Sequence, residues 1–256
     1  MGTSLQIRMR RLYVEGFTAM DVAEPLVAFD HAQETASVRP IASLRRLSVV
    51  GVQSAGLVSG YARVEDLESE GTLGQYSLPF EDKQIVAEDT SFSSLIKILD
   101  GHDYCFLTLL GSVAAVVERG DLEKPPLRMW LFGMVTIAEM SMTRAIRELY
   151  PNDSWTSQLS AGRLEKARRL MEERARRNLP AILLDCLQFP DKAQILLRNE
   201  VAREDAGFRS VREGVESVKQ FEALRNHLAH SQSIVATDWK AIVRLSGRVN
   251  HILSRL

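Results

Sequence analysis

Near the carboxyl end, the stretch Arg225-Asn226-His227-Leu228-Ala229-His230 combines side chains that could act together on a phosphodiester. The guanidinium of Arg225 can bind two phosphate oxygens, and the imidazole of His230 can transfer protons near neutral pH. Asn226 lies four residues before His230, on the same face of a helix, where it could orient that histidine or the phosphate. We therefore take Arg225, Asn226 and His230 as candidate catalytic residues, and their chemistry requires no metal and no other cofactor.

An amphipathic helix must present these residues, because the apolar residues before them recur every three or four positions. The apolar stripe consists of Val211, Val215, Val218, Phe221, Leu224 and Leu228. After a loop from Ser231 to Ala236, Thr237-Asp238 could cap a last helix. Upstream, the pair Pro125-Pro126 can stop one helix and open another, and the pattern from there onward predicts a bundle of four to six helices.

Length, composition and charge predict two domains of different character. The 256 residues are 45% hydrophobic, and residues 1–120 have a net charge of −6 whereas residues 121–256 have +5. Cys105 and Cys186 lie in apolar runs, which predicts two buried free thiols and neither a disulfide nor a metal site. We see neither a signal peptide nor 18 successive apolar residues, so we expect a cytoplasmic protein without a membrane span.

The first half contains a degenerate internal repeat. Val27-Ala28-Phe29-Asp30 is echoed by Val86-Ala87-Glu88-Asp89. Each copy then runs through a helical stretch, a buried strand and a second strand, and closes on an Asp-Leu pair, Asp66-Leu67 or Asp121-Leu122. The opening and closing segments recur at nearly the same spacing, and we expect a helix opened by each of the two closing aspartates.

The repeat resembles a tandem CBS domain, a pair of βαββα modules that commonly bind adenosine-containing nucleotides. The motif that carries the resemblance runs from Gly60 to Asp66 and, more eroded, from Ala115 to Asp121. The resemblance implies a CBS pair over residues 1–124, with modules at about 15–70 and 71–124. It makes Asp66, Arg63 and Asp121 candidate nucleotide-binding residues, the aspartates as acceptors for ribose hydroxyls. Arg63 and Glu118 stand where the family has a hydroxyl residue, and each Asp could instead only cap its helix.

Residues 125–256 resemble HEPN domains, helical bundles that include metal-independent ribonucleases and generally act as dimers. Arg225, Asn226 and His230 match the family's motif, which implies an RNA substrate and products with a 2′,3′-cyclic phosphate and a 5′-hydroxyl. Glu139 is a possible catalytic helper or a partner in a surface salt bridge. His227 could contact RNA or be a solvated helical histidine. Arg225 and His230 differ by about 140° around an ideal helix, so the site is better formed by two motifs in a homodimer.

The fold class is therefore α+β: an N-terminal CBS pair followed by an all-α, HEPN-like bundle. The favoured hypothesis is a dimeric endoribonuclease regulated by a nucleotide, with a stress or antiphage role. The alternative is a noncatalytic nucleotide-sensing module whose helical domain dimerises or binds a partner. A basic stretch from Arg163 to Arg177 could guide RNA, although interleaved glutamates such as Glu165 favour a solvated helix face.

Overall fold

The structure, a computed structural model, describes residues 4–254 and divides the chain into two units. Residues 15–127 form an α/β unit, and residues 4–14 together with 128–254 form a helical unit. The predicted α+β class with a helical second half is confirmed at this level. The amino-terminal segment, which the sequence analysis assigned to the first domain, contacts the helical unit, where Trp130 Nε1 donates to the Tyr13 carbonyl at 2.8 Å. The predicted outer limits, residues 1 and 256, lie outside the described residues.

The α/β unit contains two helices and eight strands among the described residues. The helices are α2 (Thr35–Leu44) and α3 (Phe92–Gly101), α1 being in the helical unit. The strands are β1 (Glu24–Pro25), β2 (Ala28–Asp30), β3 (Val49–Ser54), β4 (Leu57–Arg63), β5 (Leu78–Pro79), β6 (Ile85–Ala87), β7 (Tyr104–Leu109) and β8 (Ser112–Glu118).

These strands form two four-stranded sheets with the orders β2-β3-β4-β5 and β1-β8-β7-β6. In each sheet a parallel pair is followed by an antiparallel hairpin. The fourth strand comes from the other copy: β1 precedes the first module but pairs with β8, and β5 precedes the second module but pairs with β4. The modules therefore exchange their leading strands, which ties the two copies into one unit.

Strand register establishes which residues of the two copies are equivalent. Gly51 pairs with Tyr61, and Phe106 pairs with Val116, in the corresponding hairpins. The leading parallel strands then match with Ala28 against Ile85, because Ala28 pairs with Gly51 and Ile85 with Phe106. The sequence repeat instead predicts that Ala28 matches Ala87. That match is wrong, because a four-residue echo is too short to fix the register, and the strand pairing sets the equivalence two residues earlier, at Ile85.

The segment that closes each copy is not the helix that the sequence predicted. The first ends in a 3₁₀ turn from Val64 to Asp66, and the second in a 3₁₀ turn from Arg119 to Glu123. Asp66 is the last residue of its turn and Asp121 lies inside its own, so neither opens a helix as an N-cap. The short turns leave both aspartates near the ends of the second hairpin strands, β4 and β8.

A layer of aromatic side chains fills the core of the α/β unit. Tyr61 lies 4.8 Å from Phe106 between ring centroids, and Phe80 lies 4.7 Å from Phe106. Cys105, which lies between Tyr104 and Phe106 in β7, is fully buried, and burial raises the pKa of its thiol to about 12. Both cysteines are free and buried, as predicted.

The helical unit contains more helices than the four to six that the sequence predicted, because its apolar segments are short and are broken by turns. Its helices are α1 (Ser4–Arg10), α4 (Pro125–Leu149), which begins in the other unit, α5 (Ala161–Arg176), α6 (Phe189–Arg198), α7 (Glu200–Asp205), α8 (Val211–Ala229), α9 (Val235–Ser246) and α10 (Val249–Ser254). As the sequence predicted, Pro125 opens a helix.

Helix α8 carries the candidate motif, and its apolar stripe is only partly buried. Leu224 and Leu228 are buried, whereas Val211 is 43% and Val215 is 38% exposed. The amino-terminal part of α8 instead buries Gly214 and Ser217. A Cβ at Gly214 would clash with the Leu197 side chain of α6, so the absence of a side chain there allows the two helices to approach closely.

Candidate functional site

The end of α8 is held by a compact turn. The N-terminus of the helix is capped by Ser210, whose hydroxyl accepts the Glu213 N–H at 3.2 Å. At the other end, the His230 N–H still donates to the Asn226 carbonyl at 3.0 Å, so the last helical turn continues to His230. Arg128 of α4 then closes the turn, donating to the carbonyls of His227 at 3.2 Å and Gln232 at 2.9 Å. The motif therefore lies on an ordered helix end.

The predicted catalytic residues are accessible at this helix end. Asn226 and His230 are exposed and Arg225 is half-buried. The guanidinium of Arg225 donates to Asn226 Oδ1 at 3.3 Å. Within residues 4–254 no hydrogen bond joins Arg225 to His230. One chain thus brings Arg225 and Asn226 together and leaves His230 one turn beyond them.

His227 has a partner that the sequence did not reveal. Its Nδ1 lies 2.6 Å from Oδ2 of Asp238, whose side chain is 5% exposed. The same carboxylate oxygen accepts the Thr237 hydroxyl at 2.9 Å. Helix α9 begins at Val235 after an N-cap at Ile234, so Thr237 and Asp238 lie in its first turn. The prediction that they cap the last helix is therefore wrong: Asp238 is turned inward to His227.

Glu139 forms an ion pair with a buried lysine. Its Oε1 lies 2.8 Å from Nζ of Lys192 on α6, and the lysine side chain is only 7% exposed. Both residues line a cavity of about 360 Å³ together with Met140, Arg147 and Asp185. The motif residues of α8 do not line this cavity. Of the two roles predicted for Glu139, catalytic helper or partner in a salt bridge, the observed contact is the salt bridge. The pair is more buried than the surface salt bridge that the sequence predicts.

The basic stretch on α5 is interleaved with acidic partners. Arg169 lies 3.1 Å from Glu165 and Arg177 lies 2.6 Å from Glu173, both in i,i+4 pairs. Arg163 is paired with Asp191 of α6. These contacts are those of a solvated, salt-bridged helix face.

In the α/β unit the two candidate aspartates have different surroundings. Asp66 is exposed, and no hydrogen bond or ion pair engages its carboxylate within the described part of the chain. Asp121 is 12% exposed and is fully engaged: Oδ2 accepts the Glu118 N–H at 2.8 Å and Oδ1 lies 2.9 Å from Lys124 Nζ. Lys124 also bonds the Val22 carbonyl and Glu24. Burial lowers the pKa of Lys124, but these carboxylate contacts outweigh it and the pKa is raised.

The residues three positions before the two aspartates each contact the opposite module. Arg63 donates to Asp103 Oδ2 at 3.2 Å, and Glu118 accepts the Ser48 hydroxyl at 2.8 Å. The strand register that makes Arg63 equivalent to Glu118 also makes Ser48 equivalent to Asp103. Arg63 Nε is buried and has no hydrogen-bond partner in the described residues. The first position is thus basic with an unused donor, and the second is acidic.

Neither a metal centre nor a spanning helix is found in residues 4–254. No group of three or more His, Cys, Asp or Glu side chains in this range could hold a metal ion. The helices described above include none with the length and apolar character that a membrane crossing needs.

Solved structures of CBS domains are similar to about half of the chain. No protein-family model matches the chain, and no curated protein matches it. A CBS domain of a bacterial CNNM/CorC-family Mg²⁺ transporter, solved with ATP, is 18% identical over 46% of this chain and 92% of its own, with a TM-score of 0.36. CBSX2 in complex with AMP is 13% identical over 44% of this chain and 98% of its own, with a TM-score of 0.38.

A hemolysin-like protein containing a CBS domain, from Oenococcus oeni PSU, is similar over 47% of this chain and 96% of its own length. Its identity is 12% and its TM-score 0.37. The HEPN resemblance of the helical half stays a prediction.

Proposed function

We propose that the α/β unit is a nucleotide-sensing regulatory module that binds an adenosine-containing nucleotide at Asp66. The observation that carries the proposal is the free carboxylate of Asp66 three residues after Arg63, whose buried Nε lacks an acceptor within residues 4–254. A carboxylate can accept both ribose hydroxyls, and a guanidinium suits a phosphate. The helical unit, which follows through α4, would receive the signal.

The proposed binding is asymmetric, with one nucleotide per chain. Each oxygen of Asp121 already has a partner, the Glu118 N–H or Lys124, and its side chain is only 12% exposed, so it is less accessible to a ribose than Asp66. Glu118, at the position equivalent to Arg63, would repel a phosphate. Asp66 and Arg63 are therefore assigned to the ligand, and Asp121 is assigned a structural role through its contacts with the Glu118 N–H and Lys124.

Calorimetric titration of the purified chain with AMP and with ATP tests this proposal. We expect one binding site per chain for at least one of the two nucleotides, and an increase of the unfolding temperature as that nucleotide is added. Uridine 5′-monophosphate is the matched control, because it keeps the ribose and phosphate and lacks adenine. A stoichiometry of two, or no binding of either adenine nucleotide, would contradict the proposal.

As a second candidate function we propose that the helical unit is a metal-independent endoribonuclease acting as a homodimer. The exposed helix end that carries Arg225, Asn226 and His230 supports it. Arg225 would stabilise the charge that develops on the phosphate, and His230 would transfer a proton. Nucleotide binding would regulate cleavage only if the ligand has different affinities for an active and an inactive arrangement. Such a protein would act on cytoplasmic RNA, in a stress or antiphage response.

RNA cleavage by the purified chain in EDTA tests this second candidate. We expect fragments with 5′-hydroxyl and 2′,3′-cyclic phosphate ends, and a loss of at least about 100-fold for His230→Ala, because proton transfer contributes on that scale. The reactions are run with and without AMP and ATP. Equal cleavage by the two proteins would exclude the site at His230. No cleavage by either would leave the regulatory module as the function of the chain.

A further inference from the structure

The hydrogen bond to Asp238 gives the imidazole of His227 the orientation that a general base needs. Nδ1 of His227 faces a carboxylate that is 5% exposed, while the imidazole itself is 29% exposed. A carboxylate acceptor keeps the proton on Nδ1, which leaves Nε2, on the other side of the ring, as the proton acceptor. Thr237 donates to the same carboxylate oxygen at 2.9 Å, so a second contact holds the carboxylate that orients the ring.

His227 and His230 are three residues apart, which is about 60° around an ideal helix. The helical hydrogen bond to the His230 N–H is retained, so the helix path continues as far as His230. Cleavage of RNA by its own 2′-hydroxyl needs one group that accepts a proton and another that donates one. Two histidines on adjacent turns can divide these tasks within each motif of the proposed homodimer.

We propose that His227, oriented by Asp238, is the general base of the ribonuclease site and that Asp238 is its positioning residue. This inference rests on the second candidate function. Nε2 of His227 takes the proton of the 2′-hydroxyl as that oxygen forms a bond to phosphorus. The bond from phosphorus to the 5′-oxygen breaks, and the leaving oxygen takes a proton from the imidazolium of His230. The products are a 2′,3′-cyclic phosphate and a 5′-hydroxyl, with no water consumed.

The charged groups that face His227 come from two other helices. Asp238 belongs to α9, and Arg128 of α4 is bonded to the His227 carbonyl. On α8 itself the neighbouring titratable groups are Arg225 and His230. The single carboxylate among them bonds directly to the imidazole, and it would also stabilise the imidazolium formed when the base takes its proton.

The decisive variant is His227→Asn in the full chain, assayed on single-stranded RNA in EDTA. An asparagine amide can still donate to Asp238, so a merely structural bond is preserved while the titrating group is lost. We expect kcat/KM to fall by at least about 100-fold with little change in the unfolding temperature. His251→Asn, at a histidine elsewhere in the helical unit, is the matched control and should cleave as the unmodified chain does.

Asp238→Asn supplies a second and independent measurement. Because Asp238 is buried and would not touch RNA, we expect kcat to fall about 10-fold or more while KM is unchanged. If His227→Asn does not fold, a fall in kcat at unchanged KM for Asp238→Asn tests the inference instead. Full activity of either folded variant beside an inactive His230→Ala would overturn the inference and leave the ribonuclease assignment standing. If the unmodified chain cleaves no RNA with or without AMP and ATP, both are wrong.

Discussion

Replacing Asp66 with alanine is expected to weaken binding of the adenine nucleotide by about 10- to 100-fold. A hydrogen bond to a charged group contributes about 1.5–3 kcal/mol, and about 1.4 kcal/mol corresponds to a tenfold change in affinity. Asp66 is exposed at the end of its 3₁₀ turn, and no side chain or backbone group in the described chain uses its carboxylate. The substitution should therefore remove ligand contacts without a large effect on folding. Calorimetric titration with AMP and ATP measures the change.

Asp121→Ala is the matched control, because it removes the equivalent carboxylate from the second copy. Lys124 and the Glu118 N–H occupy Asp121, so its loss should lower the unfolding temperature and leave nucleotide affinity within about threefold. Arg63→Met separates phosphate binding from ribose binding: it should weaken ATP more than adenosine. If Asp121→Ala weakens binding and Asp66→Ala does not, the ligand lies at the second copy and our assignment is reversed.

The repeat in the α/β unit could be predicted because its closing residues keep a fixed spacing. The spacing between Asp66 and Asp121 is the same as that between the equivalent strand residues Tyr61 and Val116. The exchange of β1 and β5 could not be predicted. These strands, Glu24–Pro25 and Leu78–Pro79, are too short to carry an alternating apolar pattern. Their pairing depends on the edge of a strand in the other copy, which local sequence does not specify.

The candidate site was predicted in part. The position of the motif at the end of α8 could be predicted from the apolar stripe that precedes it. The same stripe predicts that Val215 is buried, but Val215 is 38% exposed, because α8 packs against Leu197 of α6 through Gly214 instead. Asp238 was missed because Thr-Asp before an apolar helix is the usual signal of an N-cap, and helix starts are uncertain by one or two residues. Because α9 begins at Val235, Asp238 lies within its first turn and is buried, where only a partner from another part of the fold can satisfy its charge.

Removing Glu139 is expected to destabilise the helical unit by about 2 kcal/mol. Lys192 is 7% exposed and would keep its ammonium with no acceptor at the present distance of 2.8 Å. Breaking a fully buried pair costs about 3–5 kcal/mol, and the 30% exposure of Glu139 reduces that figure because water can approach the lysine. Urea unfolding of Glu139→Ala measures the loss. All three tryptophans, Trp130, Trp155 and Trp239, belong to the helical unit, so their fluorescence reports its unfolding.

Two further variants separate a structural from a catalytic role of Glu139. Glu165→Ala removes one partner of an exposed i,i+4 pair and should cost less than about 0.5 kcal/mol, which sets the scale for a surface salt bridge. The double variant Glu139→Leu with Lys192→Met replaces both charges and should recover most of the stability. If the unmodified chain cleaves RNA, the double variant should also recover the cleavage that Glu139→Ala loses. A double variant that is stable and still inactive would instead assign the Glu139–Lys192 pair to catalysis, because its loss would then act on the reaction and not on the fold.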